Sequence, residues 1–302
     1  MSKPPLTALA VRQPYMAVSA HRPILCLSIT RGKPAASTAY EFHYPLEMGI
    51  VLCGKMRRVF SDTETTVGPG GIWFCGMWEP HGYQIVARPC HRIVVMIYPP
   101  LLAGTQFDGL PNHHWLLPFT AAPQSRPRTT PGSARVFLDL ASRLGSAMAD
   151  REPWRQMRLR LLVWEALLTA TRNWQPPVTT QSPLPGDFER VKTAIDAVFA
   201  CHSRINTAQA ARLCGLGRTR FSTVFLAVTG ITFADFALRF RLSGAAQQLI
   251  SSAHPLKAIA HNWGFHDESH FCRSFRHHYG QSPSQYRSVL CQHLSVPETL
   301  VT

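Results

Sequence analysis

Over the first hundred residues the apolar positions come in short runs, at 24–29, 48–53, 71–75 and 93–98, separated by Gly, Pro and charged turns at hairpin spacing. That rhythm predicts a small barrel or sandwich of roughly a hundred residues. Downstream the period lengthens. Within 134–149, Val136, Leu140 and Leu144 repeat on one helical face. Within 154–174, Leu161, Trp164, Ala166, Leu167 and Leu168 form an apolar band, with Arg155, Arg158 and Arg160 nearer water. Packing against the barrel is one reading of these two helices.

Further on, one punctuation occurs twice, 49 to 50 residues apart. Ala211, Gly215 and Leu216 are followed by Phe221, Phe225 and Gly230; Ala260, Gly264 and Phe265 are followed by Phe271, Phe275 and Gly280. An Ala-x3-Gly-hydrophobic step reads as a helix, a glycine turn and a second helix, the form of a helix-turn-helix. Leu256, Ile259 and Ala260 have amphipathic helical spacing, and Gly264 suits the positive φ of a tight turn. The phenylalanines, four apart, share one face of the second helix. Gly280 is placed as its C-terminal cap, with Pro283 beyond to stop it. Asp267 can cap the start of that helix, although His270 does not complete a capping box. A single such step is common in ordinary helical bundles. The tandem copy, with Arg on both exposed faces, points to a DNA reader.

The segment 256–287 resembles the C-terminal signature of the AraC/XylS family of bacterial transcription regulators, matching at Ile259, Gly264, Asp267, Ser269, Arg273, Pro283, Tyr286 and Arg287. Residues from about 187 to 250 fit the rest of that domain, including a long connecting helix over 233–250. The resemblance implies two recognition helices entering successive major-groove segments about one helical turn apart. It assigns base-edge contacts to Thr219, Ser222 and Thr223 in the first unit and to Glu268, Ser269 and Arg273 in the second. Arg273 is equally readable as a structural or phosphate-contacting residue. Arg218, Arg220 and Arg276 are expected on phosphate, which positions without reading sequence. Gly217 stands where the family often has a capping serine, so the first recognition helix is expected to be the less well capped.

Residues 41–86 are similar to the two motifs of the cupin barrel, through Glu41, His43, Glu47 and Gly54, then Gly70, Gly71, Pro80 and His81. In metal-binding cupins two His of an His-x-His, a Glu and a later His form the site. Here Glu41 occupies the first His position and only His43, Glu47 and His81 remain. Three readings stay open: a polar lining for a small organic effector with Trp73 and Trp78, a divalent metal site, or plain scaffold. No metal or cofactor is expected.

The predicted fold class is therefore α+β with two domains: an N-terminal cupin-like β-barrel followed by helices, and a C-terminal all-α domain with two helix-turn-helix units. The divisions expected are a barrel over 1–117, an irregular linker over 118–133, a helical segment over 134–174 and a Pro-rich semi-rigid spacer over 175–186. The DNA-binding domain follows over 187–291, with a tail over 292–302. The net charge of +14 favours polyanion partners, but it does not locate them. Residues 187–291 hold 12 Lys+Arg against 6 Asp+Glu, while 1–186 hold 19 against 10. Eight cysteines without a Cys-x2-Cys pair read as buried reduced thiols of a cytoplasmic protein. No signal peptide or membrane span is expected.

Three functions compete: an effector-responsive regulator, a metal-dependent cupin enzyme with a DNA-binding module, and a regulator whose barrel only oligomerises. The first leads, so the protein is not expected to be an enzyme. The partners expected are double-stranded DNA, a small-molecule effector, RNA polymerase and a second copy of the chain.

Overall fold

The computed structural model describes residues 18–19, 21–32, 39–41, 43–60, 63–103, 105, 107–108, 114–175, 186–200 and 204–293. The expected spacer at 175–186 lies outside them except for its two end residues, as does the tail beyond 293. The chain falls into two compact units divided between 175 and 186.

In the N-terminal unit, β1 (Ile24–Arg31), β2 (Ala39–Glu41), β3 (Leu46–Phe60), β4 (Glu64–Val67), β5 (Ile72–Cys75) and β6 (His81–Ile97) form one antiparallel sheet. β3 and β6 are its spine, 15 and 17 residues long. Both faces are buried over 46–51 and 92–97, which the apolar runs at 48–53 and 93–98 overlap; elsewhere these strands alternate between buried and more exposed positions. The register slips between Val51 and Met56. Gly54 sits in this slip at φ +77°, where an added Cβ would lie 2.3 Å from the Pro89 carbonyl oxygen. Only glycine fits there, and such a bulge bends its strand. The ladder runs β1-β6-β3-β4, with β2 on β6 and β5 on β3. Among the described residues no pairing joins β1 to β4, so backbone pairing establishes an antiparallel sheet domain rather than a closed barrel.

The two faces of this sheet differ. Cross-strand rows place Leu25, Met96, Glu47 and Cys75 on one face, followed by Leu27, Val94, Gly49 and Trp73, then Ile29, Arg92 and Val51. That inner face holds a cluster including Met56, Phe60, Trp73, Ile85, Val94 and Met96. Ile24, Leu46, Met48 and Ile50 face the other way, where α3 (Ala134–Ala149) contacts β1, β3 and β6 with Phe137, Leu140, Ala141 and Leu144 fully buried. Phe74, next to the inward Trp73, faces the other way, against Phe119. Two short helices, α1 (Pro99–Ala103) and α2 (Leu117–Thr120), follow the sheet. α4 (Arg155–Thr171) runs beside α3, fastened by Arg143, whose two terminal nitrogens each donate to a Glu165 oxygen at 2.8 Å. The segment 118–133 is an irregular excursion secured to the sheet. Its Arg126 is buried, donates to the carbonyls of Ala121 and Phe74, and pairs with Glu79.

The C-terminal unit is all helix: α5 (Asp187–Ala200), α6 (Thr207–Leu213), α7 (Arg218–Thr229), α8 (Phe233–Ser251), α9 (Leu256–Asn262), α10 (Glu268–Tyr279) and α11 (Pro283–His293). α8 is the connecting helix expected at 233–250. No single described helix is long and apolar enough to cross a membrane. Cys26, Cys75 and Cys90 are buried as expected for thiols in apolar runs, whereas Cys53 is exposed; Cys201 and the Cys291 side chain lie outside the described residues.

Candidate nucleic-acid interface and buried polar cluster

The pairs α6/α7 and α9/α10 are built alike. Each joins a seven-residue helix to a twelve-residue one. The turn glycines sit at φ +63° (Gly215) and +66° (Gly264). Past each glycine an amide returns to the alanine carbonyl of the first helix, Leu216 to Ala211 at 2.9 Å and Phe265 to Ala260 at 3.0 Å. Phe221 and Phe225 are fully buried with ring centroids 5.5 Å apart, and Phe271 and Phe275 repeat both facts. Gly230 and Gly280 close the long helices in left-handed conformation. With the aromatic faces turned inward, Arg218, Thr219, Arg220 and Ser222 of α7 are exposed, and Thr223 is half-buried. On α10, Glu268, Ser269, Arg273 and Arg276 are exposed.

The copies differ where the sequence suggests. Asp267 accepts from the His270 amide at 2.6 Å at the start of α10, and the His266 side chain, with that amide, holds its carboxyl below the usual range. Gly217 gives α7 no side-chain cap. Arg220 lies 3.8 Å from the buried Asp187 of α5, so part of its charge faces its own unit. Two supporting residues, Arg241 and Trp263, escaped the sequence reading. Buried Arg241 of α8 donates to the Gly264 carbonyl at 2.9 Å and lies over the Phe265 ring, holding the second turn in place. Trp263 occupies the space over Gly244 of α8 and donates to Gln248 at 2.9 Å. Arg287 donates to the carbonyls of Leu249 and His254, which makes it structural.

In the N-terminal unit His43, Glu47, His81 and Trp73 come together, all almost completely buried. Arg58 and Trp73 donate to Glu47 Oε1 at 2.9 and 2.6 Å. The other oxygen, Oε2, faces the Nε2 atoms of His43 and His81, each at 3.4 Å. Burial alone would raise the Glu47 pKa, but Arg58, His81 and the His43 contact outweigh it and hold the carboxyl well below the usual range. The imidazoles are oriented from behind, with His43 Nδ1 on the Pro45 carbonyl at 2.9 Å and His81 Nδ1 on that of Glu79 at 2.7 Å. So anchored, both rings present Nε2 to the same carboxylate oxygen, an arrangement that suits a proton or a cation held between them. The three donor groups lie within 4.8 Å of one another, a spacing that suits a small cation. Against a dication stands Arg58, a fixed positive charge on the same carboxylate. Trp78 joins through its backbone, donating to the His43 carbonyl at φ +54°. Arg58 and Cys75, 3.0 Å apart, were not foreseen, since Arg58 follows Lys55 and Arg57 in a stretch of β3 that reads as solvent-facing.

A family model for a helix-turn-helix domain matches residues 210–288. The probable transcriptional regulator LumQ of Photobacterium leiognathi is 33% identical over 258 residues, covering 83% of this chain and 92% of that protein. YijO of Escherichia coli K12, an HTH-type transcriptional regulator, is 28% identical over 273 residues, covering 88% and 90%. The chain belongs to the AraC/XylS family of transcription regulators and is a DNA-binding regulator, in a family of regulators rather than enzymes. Among solved structures, ToxT from Vibrio cholerae bound to an unsaturated fatty acid is similar with a TM-score of 0.53 at 11% identity. The match covers 88% of this chain and 95% of ToxT, and shows a shared two-domain fold.

Proposed function

We propose that this regulator reads DNA with α7 and α10 in successive major-groove segments, and that an effector bound in the N-terminal unit controls it. The observation that carries the DNA part is the matched construction of the two helix pairs, down to the turn φ angles and the buried phenylalanine pair. Thr219, Ser222 and Thr223 face the bases in one segment, and Glu268, Ser269 and Arg273 in the other. Arg218, Arg220 and Arg276 lie toward phosphate. Arg273 is the strongest reader, because a guanidinium can engage guanine bidentately where Ser and Thr cannot. Selection of DNA from a random pool by the full chain should return a bipartite motif, its cores about 10 bp apart. The half contacted by α10 should carry more information than the half contacted by the uncapped α7. A single compact motif would overturn the two-helix reading.

The effector reading is supported by the buried His43, Glu47, His81, Trp73 and Trp78 assembly and, at the level of fold, by the likeness to ligand-bound ToxT. The homodimer reading is supported by α4. Trp154, just before it, is 70% exposed; Met157, Leu161 and Leu168 are 56%, 61% and 45% exposed, and Trp164 completes a 3-4-3-4 spacing. That is the seam a two-stranded coiled coil buries, so a second copy of α4 is its natural occupant. Leu161→Glu should convert a sedimenting dimer to monomer; an unchanged dimer would place the interface elsewhere. RNA polymerase is a partner of this regulator wherever it activates.

A further inference from the structure

Among the described residues the inner face of the N-terminal sheet holds two buried arginines, and only one of them has a counter-ion there. Arg58 is paired with Glu47. Arg92 is 2% exposed, its guanidinium lies 4.2 Å from the centre of the Tyr83 ring and hydrogen-bonds the neutral Cys90 thiol, and its Nη1 has no hydrogen-bond partner. No carboxylate among the described residues pairs with it. Glu41, the other acid near this face, has Glu47, His81, His43 and Arg58 as its charged neighbours. The first 40 residues contain no Asp or Glu, so the segment leading into β1 has no acid to supply. A buried guanidinium without an anion is a costly arrangement, and it points to a charge that arrives from outside the chain.

The surface around Arg92 says what else that ligand carries. Arg92 shares its cross-strand row with Ile29 and Val51; the next rows are Leu27 with Val94, and Leu25 with Met96. Leu25, Leu27 and Ile29 pack only partly against the inner cluster and remain half-exposed, while Ile24 and Cys26 on the opposite face of the same strand are buried. An apolar strip about 13 Å long therefore runs from beside Arg92 along β1. Its far end is Leu25, which shares a row with Met96 and Glu47, so a second negative charge placed there would meet the Glu47 carboxylate. We propose that the inner face binds a monocarboxylate with an apolar body, its carboxylate paired to Arg92 and its body along Leu25, Leu27 and Ile29.

This inference rests on the reading that the N-terminal unit holds the effector. The test uses the full chain with sodium octanoate and, as a neutral counterpart of equal length, 1-octanol, followed by calorimetric titration and thermal shift. Octanoate should bind saturably and raise the transition temperature, with 1-octanol at least tenfold weaker. Arg92→Met should fold, lose at least tenfold in octanoate affinity and no longer distinguish the two probes. Leu27→Trp, which fills the strip and keeps Arg92, should exclude both probes and guards against a misfolded Arg92 variant. Equal binding of octanoate and 1-octanol, or octanoate binding undiminished in Arg92→Met, would overturn the assignment of the carboxylate to Arg92. If octanoate fails while a panel of neutral metabolites still shifts the wild-type transition, the carboxylate class is wrong and the effector reading survives. If octanoate and the whole panel leave the transition unmoved, both are wrong.

Discussion

Gly244 offers a prediction whose sign is the test. It lies inside α8, and an alanine there gains roughly 0.5–1 kcal/mol in helix propensity. The structure opposes that gain, because the new Cβ would stand 1.8 Å from the Trp263 ring, with two further ring atoms at 2.1 and 2.2 Å. The indole must retreat by roughly 1.5 Å or more to restore ordinary contact, an overpacking that typically costs about 1–3 kcal/mol. Its hydrogen bond to Gln248 is strained in the same movement, at about 1 kcal/mol. The net effect of Gly244→Ala should be a loss of about 1–3 kcal/mol, localised where α8 meets the turn between α9 and α10. Hydrogen exchange of the full chain, read on peptides covering 256–265, should therefore quicken by about five- to a hundredfold. Gly145 in α3 is the control, since a Cβ there meets nothing within 4 Å. Gly145→Ala should stabilise its helix by the propensity gain alone. If Gly244→Ala also slows exchange, Trp263 does not dock α8 as described.

Arg273→Ala should relax base preference at one or two positions at a cost of about 1–3 kcal/mol, measured as binding to the selected motif and its point variants; uniform weakening on every sequence would make Arg273 a phosphate contact. His278 is pushed down to about 4 by burial, with Arg239 and His277 adding to it. The unfolded chain takes up a proton near pH 6.5 that the folded one refuses until about pH 4, so this contribution is complete above 6.5 and is lost as pH falls toward 4. The loss is at most about 3 kcal/mol, and His278→Gln should flatten the pH dependence of the C-terminal unit's unfolding over that window; an identical slope would remove His278 from the account. Metal analysis of the purified protein should give well below one equivalent, because Arg58 already occupies the Glu47 carboxylate; one firmly held zinc, lost in His81→Ala, would show that the cluster is a metal site.

Much of the C-terminal unit was legible because its demands are local. Positive φ at Gly215 and Gly264, a four-residue Phe spacing and a missing cap at Gly217 are each decided by a few neighbouring residues. What joins the pieces was not legible. Arg241 reaches Gly264 across 23 residues and Trp263 fills the space over Gly244, contacts that no periodicity reveals. In the N-terminal unit the apolar runs located β1 and β5 but marked only fragments of β3 and β6, whose remaining length depends on a partner strand. His43, Glu47 and His81 were found through motif spacing, and the fold does bring them together. Arg58 and Arg92 were missed because, in sequence, a buried arginine looks like an exposed one until the sheet register assigns its face.

The central claim is that two similar helices dock in one orientation on one stretch of DNA. Guanine N7 methylation protection by the full chain on a selected site tests it most directly, since that atom lies in the major groove. The account predicts two protected patches about 10 bp apart on one face of the duplex. Arg273→Ala should weaken one patch, and Ser222→Ala with Thr223→Ala the other. A single patch, or two patches that fade together in either variant, would contradict it.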